Sequence, residues 1–274
     1  LLGKVLLYQD KFAEAASALD NVIGVYSLVS DYGSQFLRFG ENGPESVFEI
    51  QYSNQSNWYD WGCAHCSEGN YAIIMNGPRG WSGPEYAQGW SFNVPTEEFY
   101  NSFEEGDSRR DATVLDIEAF AAATGASYTE GYDHTGYFNN KYIPRAGESG
   151  GQTELNYLTN FRIIRYSDVL LMAAEAYNRG GIDDGLAQEF LNQVRRRAFG
   201  GDDNDISASG SALTDAIWEE RKFELSLEGH RFFDLVRTGR ASSLIAGFVE
   251  GKHEVFPIPQ QEVDISGLTQ NAGY

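Results

Sequence analysis

Trp58, Tyr59, Trp61, Trp81, Tyr86 and Trp90 fall in one stretch that holds four of the five Trp of this 274-residue chain. Asn, Gln, Ser and Gly surround them, without a periodic apolar pattern, so the stretch reads as loop. A flat indole or phenol ring on a loop can cover the apolar C–H face of a pyranose and remove it from water. Amides beside such a ring can meet hydroxyls, and Asn54, Gln55, Asn57, Asn70 and Gln88 are available for that. The same rings can instead pack long loops into small cores of their own. Trp90 runs into the motif Gly89–Thr96, which leads to a helix start, and reads as structural. The expected ligand-contacting set is therefore Trp58, Tyr59, Trp61, Trp81 and Tyr86, with Asn57 and Asn70.

Cys63-Ala64-His65-Cys66 has four readings: a local disulfide, two free thiols, a redox pair, or part of a metal site. Redox chemistry wants a strand before the motif and a helix after it, to lower the thiol pKa, and Ser67-Glu68-Gly69-Asn70 is a poor helix start. Zinc wants about four ligands, and there is no second C-x-x-C and no H-x3-H. Asp202-Asp203-Asn204-Asp205 lacks the Gly and closing Glu of a calcium loop and reads as a solvated turn. No H-E-x-x-H and no Gly-rich phosphate loop is present, and no cofactor is expected. Hydrolysis of a glycoside needs two carboxylates about 5–10 Å apart across the sugar. Asp60, Glu68 and Glu85, which lie among the aromatics, are the residues such a reading would use.

The charge balance narrows the partners. Forty acidic residues against twenty basic ones give −20, with a pI near 4.5 and mean hydropathy −0.41. Such a surface repels phosphate backbones, so nucleic acid is not an expected partner, and a neutral ligand fits better. Arg195-Arg196-Arg197 is a basic run near a helix C-terminus, where cations favour the helix dipole. No apolar run approaches the ~18 residues of a membrane helix.

The elements that must carry these residues divide into helical ends and a loop-rich middle. Residues 1–24 predict a helical hairpin: Leu2, Val5 and Leu6 share a face, Asp10 caps a second helix from Lys11 to Ile23, and Gly24 stops it. Residues 162–199 predict a second hairpin, with helices over 163–179 and 186–198 separated by Gly180-Gly181. Ala15, Leu19 and Val22 repeat in Ala187, Leu191 and Val194, the spacing of a tetratricopeptide-like repeat. Between them, residues 30–160 form a large insertion. Ser46–Tyr52 alternates like a strand, and Thr96 caps a short helix. Residues 213–274 predict a helix from Leu213 to Leu227, a short helical turn at 232–236 and an extended tail through Pro257 and Pro259.

Several ordered motifs resemble the SusD/RagB family, the cell-surface glycan-binding lipoproteins of Bacteroidetes. They are Gly89-Trp90-Ser91-Phe92-Asn93-Val94-Pro95-Thr96, Gly106-Asp107-Ser108-Arg109, and the run from Arg165 to Ala176. The run from Glu220 to Gly239, Pro257-Ile258-Pro259 and Leu268 to Tyr274 follow in order. Ala272 stands where the family usually has Pro. The resemblance covers essentially the whole chain as the C-terminal portion of such a protein. It implies a mainly α, tetratricopeptide-like scaffold carrying a loop-rich ligand face and a few short strands. It implies non-catalytic binding of oligosaccharides or polysaccharides and uptake through a SusC-like TonB-dependent transporter. The implied location is the extracellular face of the outer membrane, reached through an N-terminal lipid anchor outside this chain. Thiols oxidise there, so a Cys63–Cys66 disulfide follows from the resemblance. A glycoside hydrolase and a helical-repeat module for proteins or peptides are the alternatives. The charged residues Glu220, Arg221, Glu224, Glu228, Arg231, Asp234 and Arg237 read as an ion-pair network joining the last helices.

Overall fold

The computed structural model describes residues 1–55, 61–149 and 155–274. The chain forms two compact units, Leu1–Glu228 and Gly229–Tyr274. In the first, the elements are α1 (Leu2–Tyr8), α2 (Phe12–Asp20), β1 (Ser46–Ile50), α3 (Ala72–Met75), β2 (Arg79–Ser82), α4 (Glu97–Asn101), α5 (Arg109–Thr113), β3 (Val114–Asp116), α6 (Ile117–Thr124), β4 (Ser127–Thr129), β5 (Tyr137–Asn139), β6 (Phe161–Arg165), α7 (Tyr166–Arg179), α8 (Asp184–Phe199) and α9 (Gly210–Glu224). The second unit holds α10 (Arg231–Arg237), α11 (Ala241–Leu244) and α12 (Gln260–Ser266).

Helix α7 is the hub of the scaffold. Helices α2, α8 and α9 pack on it, and Val169, Leu170, Leu171, Ala173, Ala174 and Ala176 are all buried. Ala15 and Leu19 from α2, and Ala187, Leu191 and Val194 from α8, enter this same core. The repeated spacing therefore reflects two helices that press equivalent small-and-large faces onto one central helix. Helices α1 and α2 come close because residue 3 is Gly: a Cβ there would lie 2.6 Å from the Leu19 side chain. Several helix boundaries differ from the sequence reading: α2 ends at Asp20 rather than Ile23, α9 runs Gly210–Glu224 rather than Leu213–Leu227, and three other helix starts shift. Lys11, not Asp10, caps α2, because Asp10 takes the left-handed turn between the helices at φ 54°. Helix α8 begins two residues early, at Asp184, where the Asp183 side chain accepts from the amides of Gly185 and Leu186. Helix α7 begins at Tyr166, because Phe161–Arg165 is instead a strand, antiparallel to β1. Its β-branched pair Ile163-Ile164 suits a strand, and pairing satisfies backbone groups that burial would otherwise leave without partners.

Besides β1, the described residues of the insertion form two short two-stranded sheets, β2 with β4 and β3 with β5. Small aromatic cores hold its loops. One gathers Tyr32, Phe36, Ile73, Ile74, Tyr142 and Tyr157, another Tyr86, Leu115, Ile117, Phe138 and Ile143.

Buried charge ties insertion to scaffold. Arg109 pairs with Asp107 (2.7 Å) and Glu220. Arg165 pairs with Glu45, Glu224 and Glu228 at 2.7–2.9 Å. Arg197 pairs with Glu224 at 2.6 Å, and Lys141 with Glu228 at 2.7 Å. Arg221 reaches Asp168 at 2.7 Å. Asp234 and Arg237 pair on neighbouring turns at 2.8 Å, as expected, but for Glu220 and Glu224 the expectation is corrected. Their cations come from positions 109, 165, 195 and 197, because carboxylates buried to this degree need cations aimed at them. Arg195, Arg196 and Arg197 all form ion pairs.

In the second unit the tail from Val255 is clamped by side chains that imitate a strand partner. The Gln270 amide accepts from the Ile258 N–H at 2.7 Å and donates to its carbonyl at 2.8 Å. Asn271 donates to Phe256 O at 2.7 Å and Tyr274 to Val255 O at 3.0 Å. The closing motif is thus structural. Among the described residues, no helix is long and apolar enough to cross a membrane.

Candidate functional site

The backbone of residues 89–92 is bonded to the end of α3. Gly89 N donates to Pro78 O, Trp90 N to Ile74 O, Ser91 N to Gly77 O and Phe92 N to Met75 O, each at 2.8 Å. Only Gly permits this approach, since a Cβ at position 89 would lie 2.3 Å from Gly77 Cα. The zipper fixes where the Trp90 side chain emerges. Trp61 opens a short 3-10 turn, Trp61–Cys66, and its ring lies 5.3 Å from that of Trp90 at an interplanar angle of 35°. Tyr71, one residue before α3, meets Trp61 edge-on at 6.3 Å. Trp61 and Tyr71 remain 44% and 42% exposed, so three rings from three segments form one aromatic surface open to solvent.

A cleft of about 570 Å³ shares Trp90 with this surface. Arg79, Phe92, Asn93, Glu130 and Tyr132 line it. The Arg79 guanidinium donates to Trp90 O at 2.8 Å and lies over the Phe92 ring. Tyr132 is 92% exposed. Ser91, Asn93 and Asp133 hold left-handed backbone at φ 53–59°, a costly conformation for residues with a side chain and one that collects at binding sites. Aromatic faces next to amide, guanidinium and carboxylate groups can stack and hydrogen-bond a neutral polyol together.

The sequence-derived site residues separate here. Asn57, Trp58, Tyr59 and Asp60 lie outside the described residues. Trp61 is at the centre of the aromatic surface. Tyr86 is 4% exposed and packs edge-on against Trp81 and Phe120. Burial, reinforced by Glu85, pushes its hydroxyl up to about 12. Trp81 is half-buried in the same cluster. Asn70 is buried too: its amide donates to Thr159 O at 2.9 Å, and its Oδ1 accepts from Ala72 N at 3.2 Å, where α3 starts. Tyr86 and Asn70 are therefore taken up by the fold and do not present the exposed faces the sequence reading assigned them. The reason is local: the described loops of the insertion pack into small aromatic cores of their own. Trp90, expected inside, is half-buried and shared between core and surface. Tyr71, Arg79, Phe92 and Tyr132 are additions that no periodicity marks.

Glu85 is ion-paired to Arg145 at 2.9 Å, and Glu68 is exposed. Among the described residues, no group of three or more His, Cys, Asp or Glu could hold a metal ion. The Cys63 and Cys66 sulfurs are joined in a disulfide. In the isolated protein we expect alkylation without reductant to leave both cysteines unmodified, with a mass two protons below that of the reduced chain. Two freely alkylated thiols would contradict this.

The sequence profile of the SusD family matches residues 44–248. Among solved structures, a laminarin-binding SusD-like protein is 39% identical, covers all of this chain and superimposes with a TM-score of 0.89. Surface glycan-binding protein A from Bacteroides thetaiotaomicron, solved in complex with laminarihexaose, is 32% identical over 98% of this chain, with a TM-score of 0.88. SusD-like protein P2 from Formosa agariphila is 28% identical over 255 residues, 84% of this chain. The chain spans 61% and 62% of the two structures and 48% of the Formosa protein.

Proposed function

This chain belongs to the SusD family, and on that premise we propose that it binds a β-glucan of the laminarin type without cleaving it. The observation that carries this reading is the exposed aromatic surface of Trp61, Tyr71 and Trp90 beside a polar cleft. It occurs in a chain whose relatives include one named for laminarin binding and one solved with laminarihexaose. Flat rings cover the apolar faces of successive glucose units, and the cleft groups meet their hydroxyls. At the outer face of the outer membrane, the protein would hold the glycan for a SusC-like TonB-dependent transporter. A pull-down with the full-length protein tests that partnership.

The binding test is a calorimetric titration of the chain with laminarihexaose, with cellohexaose in parallel. We expect saturable binding of laminarihexaose and weaker binding of the straighter β-1,4 chain. After a day's incubation the hexasaccharide should be intact. Absence of saturable binding would reject the glycan reading. Shortening by the wild type but not by Glu85→Gln would move the function to hydrolysis.

A further inference from the structure

We infer that the Cys63–Cys66 disulfide is a positioning device for Trp61, so that glycan binding depends on the oxidation state of this pair; the inference rests on the binding function proposed above. The C-terminal side of the 61–66 turn is firmly attached. The single Ser67 hydroxyl proton lies within reach of two acceptors, Leu155 O at 3.0 Å and Asn156 Oδ1. Asn70 N donates to Tyr157 O and Ser53 N to Glu68 O, at 2.8 and 2.9 Å. Leu155 and Asn156 are fully buried, so residues 67–70 are held against the interior. The turn itself is not a continuous helix. Cys63 has φ −143° and ψ 69°, which breaks it. The disulfide crosses that break, with Cα atoms 5.3 Å apart, and carries the anchorage at 67–70 back to Cys63, two residues from Trp61.

The consequence falls on Trp61 because its ring is at the surface. It rests on Trp90 and Tyr71 alone among the ring pairs described for it and is nearly half exposed. A stacking platform held in its bound orientation loses less freedom when the sugar arrives. Opening the bond converts that ordering into a cost of binding. The reduction is a two-electron step. A phosphine attacks one sulfur and the S–S bond breaks. Two protons complete the thiols, and the phosphine leaves as its oxide with oxygen from water.

The experiment measures laminarihexaose affinity by tryptophan fluorescence for wild type, Trp61→Ala, Cys63→Ser/Cys66→Ser and the triple combination. Oxidised protein is compared with protein reduced by tris(2-carboxyethyl)phosphine and with protein reoxidised afterwards. We expect reduction, or the double Ser variant, to weaken wild-type binding about three- to tenfold. Reoxidation of the wild type should restore it. The melting temperature should fall by no more than a few degrees, because a two-residue spacer restricts the unfolded chain little. In the Trp61→Ala background, opening the bond should have no further effect on affinity. That coupling separates positioning from a general loosening of the loop. Saturable binding that ignores reduction would overturn the inference and leave the glycan reading standing, as would an equal loss in the Trp61→Ala background. Failure of the oxidised wild type to bind would remove both.

Discussion

Glu224→Gln is expected to lower the unfolding free energy by about 3–5 kcal/mol, the cost of breaking a buried ion pair from one side. Glu224 is fully buried and accepts from Arg165 at 2.9 Å, Arg197 at 2.6 Å and Arg109 at 3.2 Å. Gln keeps the shape and leaves three guanidinium groups short of one negative charge, with water excluded. Urea denaturation at pH 7 measures the loss. A change below about 1 kcal/mol, the range of an exposed pair, would mean that the network is solvated. The pH dependence follows from the same geometry. Burial raises the Glu224 carboxyl, but Arg197, Arg165 and Arg109 outweigh it and hold it well below the ordinary carboxylate range. A depressed carboxylate contributes stability that is complete above its unfolded value and lost as pH falls through its folded value. The acid limb of the wild-type stability curve should therefore be steeper than that of Glu224→Gln. Lys141 works at the other end. Burial lowers it to about 8 despite Glu228, so its effect on stability improves as pH rises from 8 toward the unfolded lysine value.

Trp61→Ala should weaken laminarihexaose binding about fivefold to a hundredfold, or ~1–3 kcal/mol for the apolar surface one ring covers. Its melting temperature should barely move, since the ring is nearly half exposed. Trp90→Ala should lose binding to a similar degree and about 1–3 kcal/mol of stability as well, because that ring also packs on the core of Ile73, Ile74 and Tyr142. Tyr86→Ala should do the reverse of Trp61→Ala. It should cost about 3–5 kcal/mol of stability, as a buried aromatic does, and alter binding only as far as misfolding does. Paired calorimetric titrations and thermal melts on the three variants decide the matter. Normal binding by both Trp variants would place the glycan elsewhere on the molecule.

The contrast among those three aromatics shows how far the sequence could be read. Gly, Asn and Ser surround Trp81 and Tyr86 just as they surround Trp61, and local composition cannot separate them. What separates them is the company each ring keeps. Phe120 arrives from α6 to cover Trp81 and Tyr86, while the rings facing Trp61 leave much of it uncovered. Local composition makes Asn70 a candidate hydroxyl partner, but the approach of Thr159, far along the chain, draws its amide into the fold. Tyr71 carries no signal in the sequence beyond its adjacency to a helix start. Arg79 becomes notable only because the return of the chain at 90–92 brings Trp90 and Phe92 against it.

The helical scaffold was legible because its determinants are local and periodic. The Ala-x3-Leu-x2-Val spacing and the Thr96 cap act within one or two helical turns, whereas Gly24 does not stop α2, which ends at Asp20. Composition alone also set the charge of −20 that disfavours nucleic acid. Tertiary structure decided which aromatic is platform and which is core, and which cation answers each carboxylate of α9. It also turned Ile163–Arg165, read as the start of a helix, into the end of the strand Phe161–Arg165. In each of these cases the energy depends on desolvation by groups distant in sequence: Glu224 with Arg109, Ser46 with Arg165, Trp61 with Trp90. Burial of a ring, a charge or a backbone amide is a property of everything that surrounds it, and no window along the chain contains those neighbours.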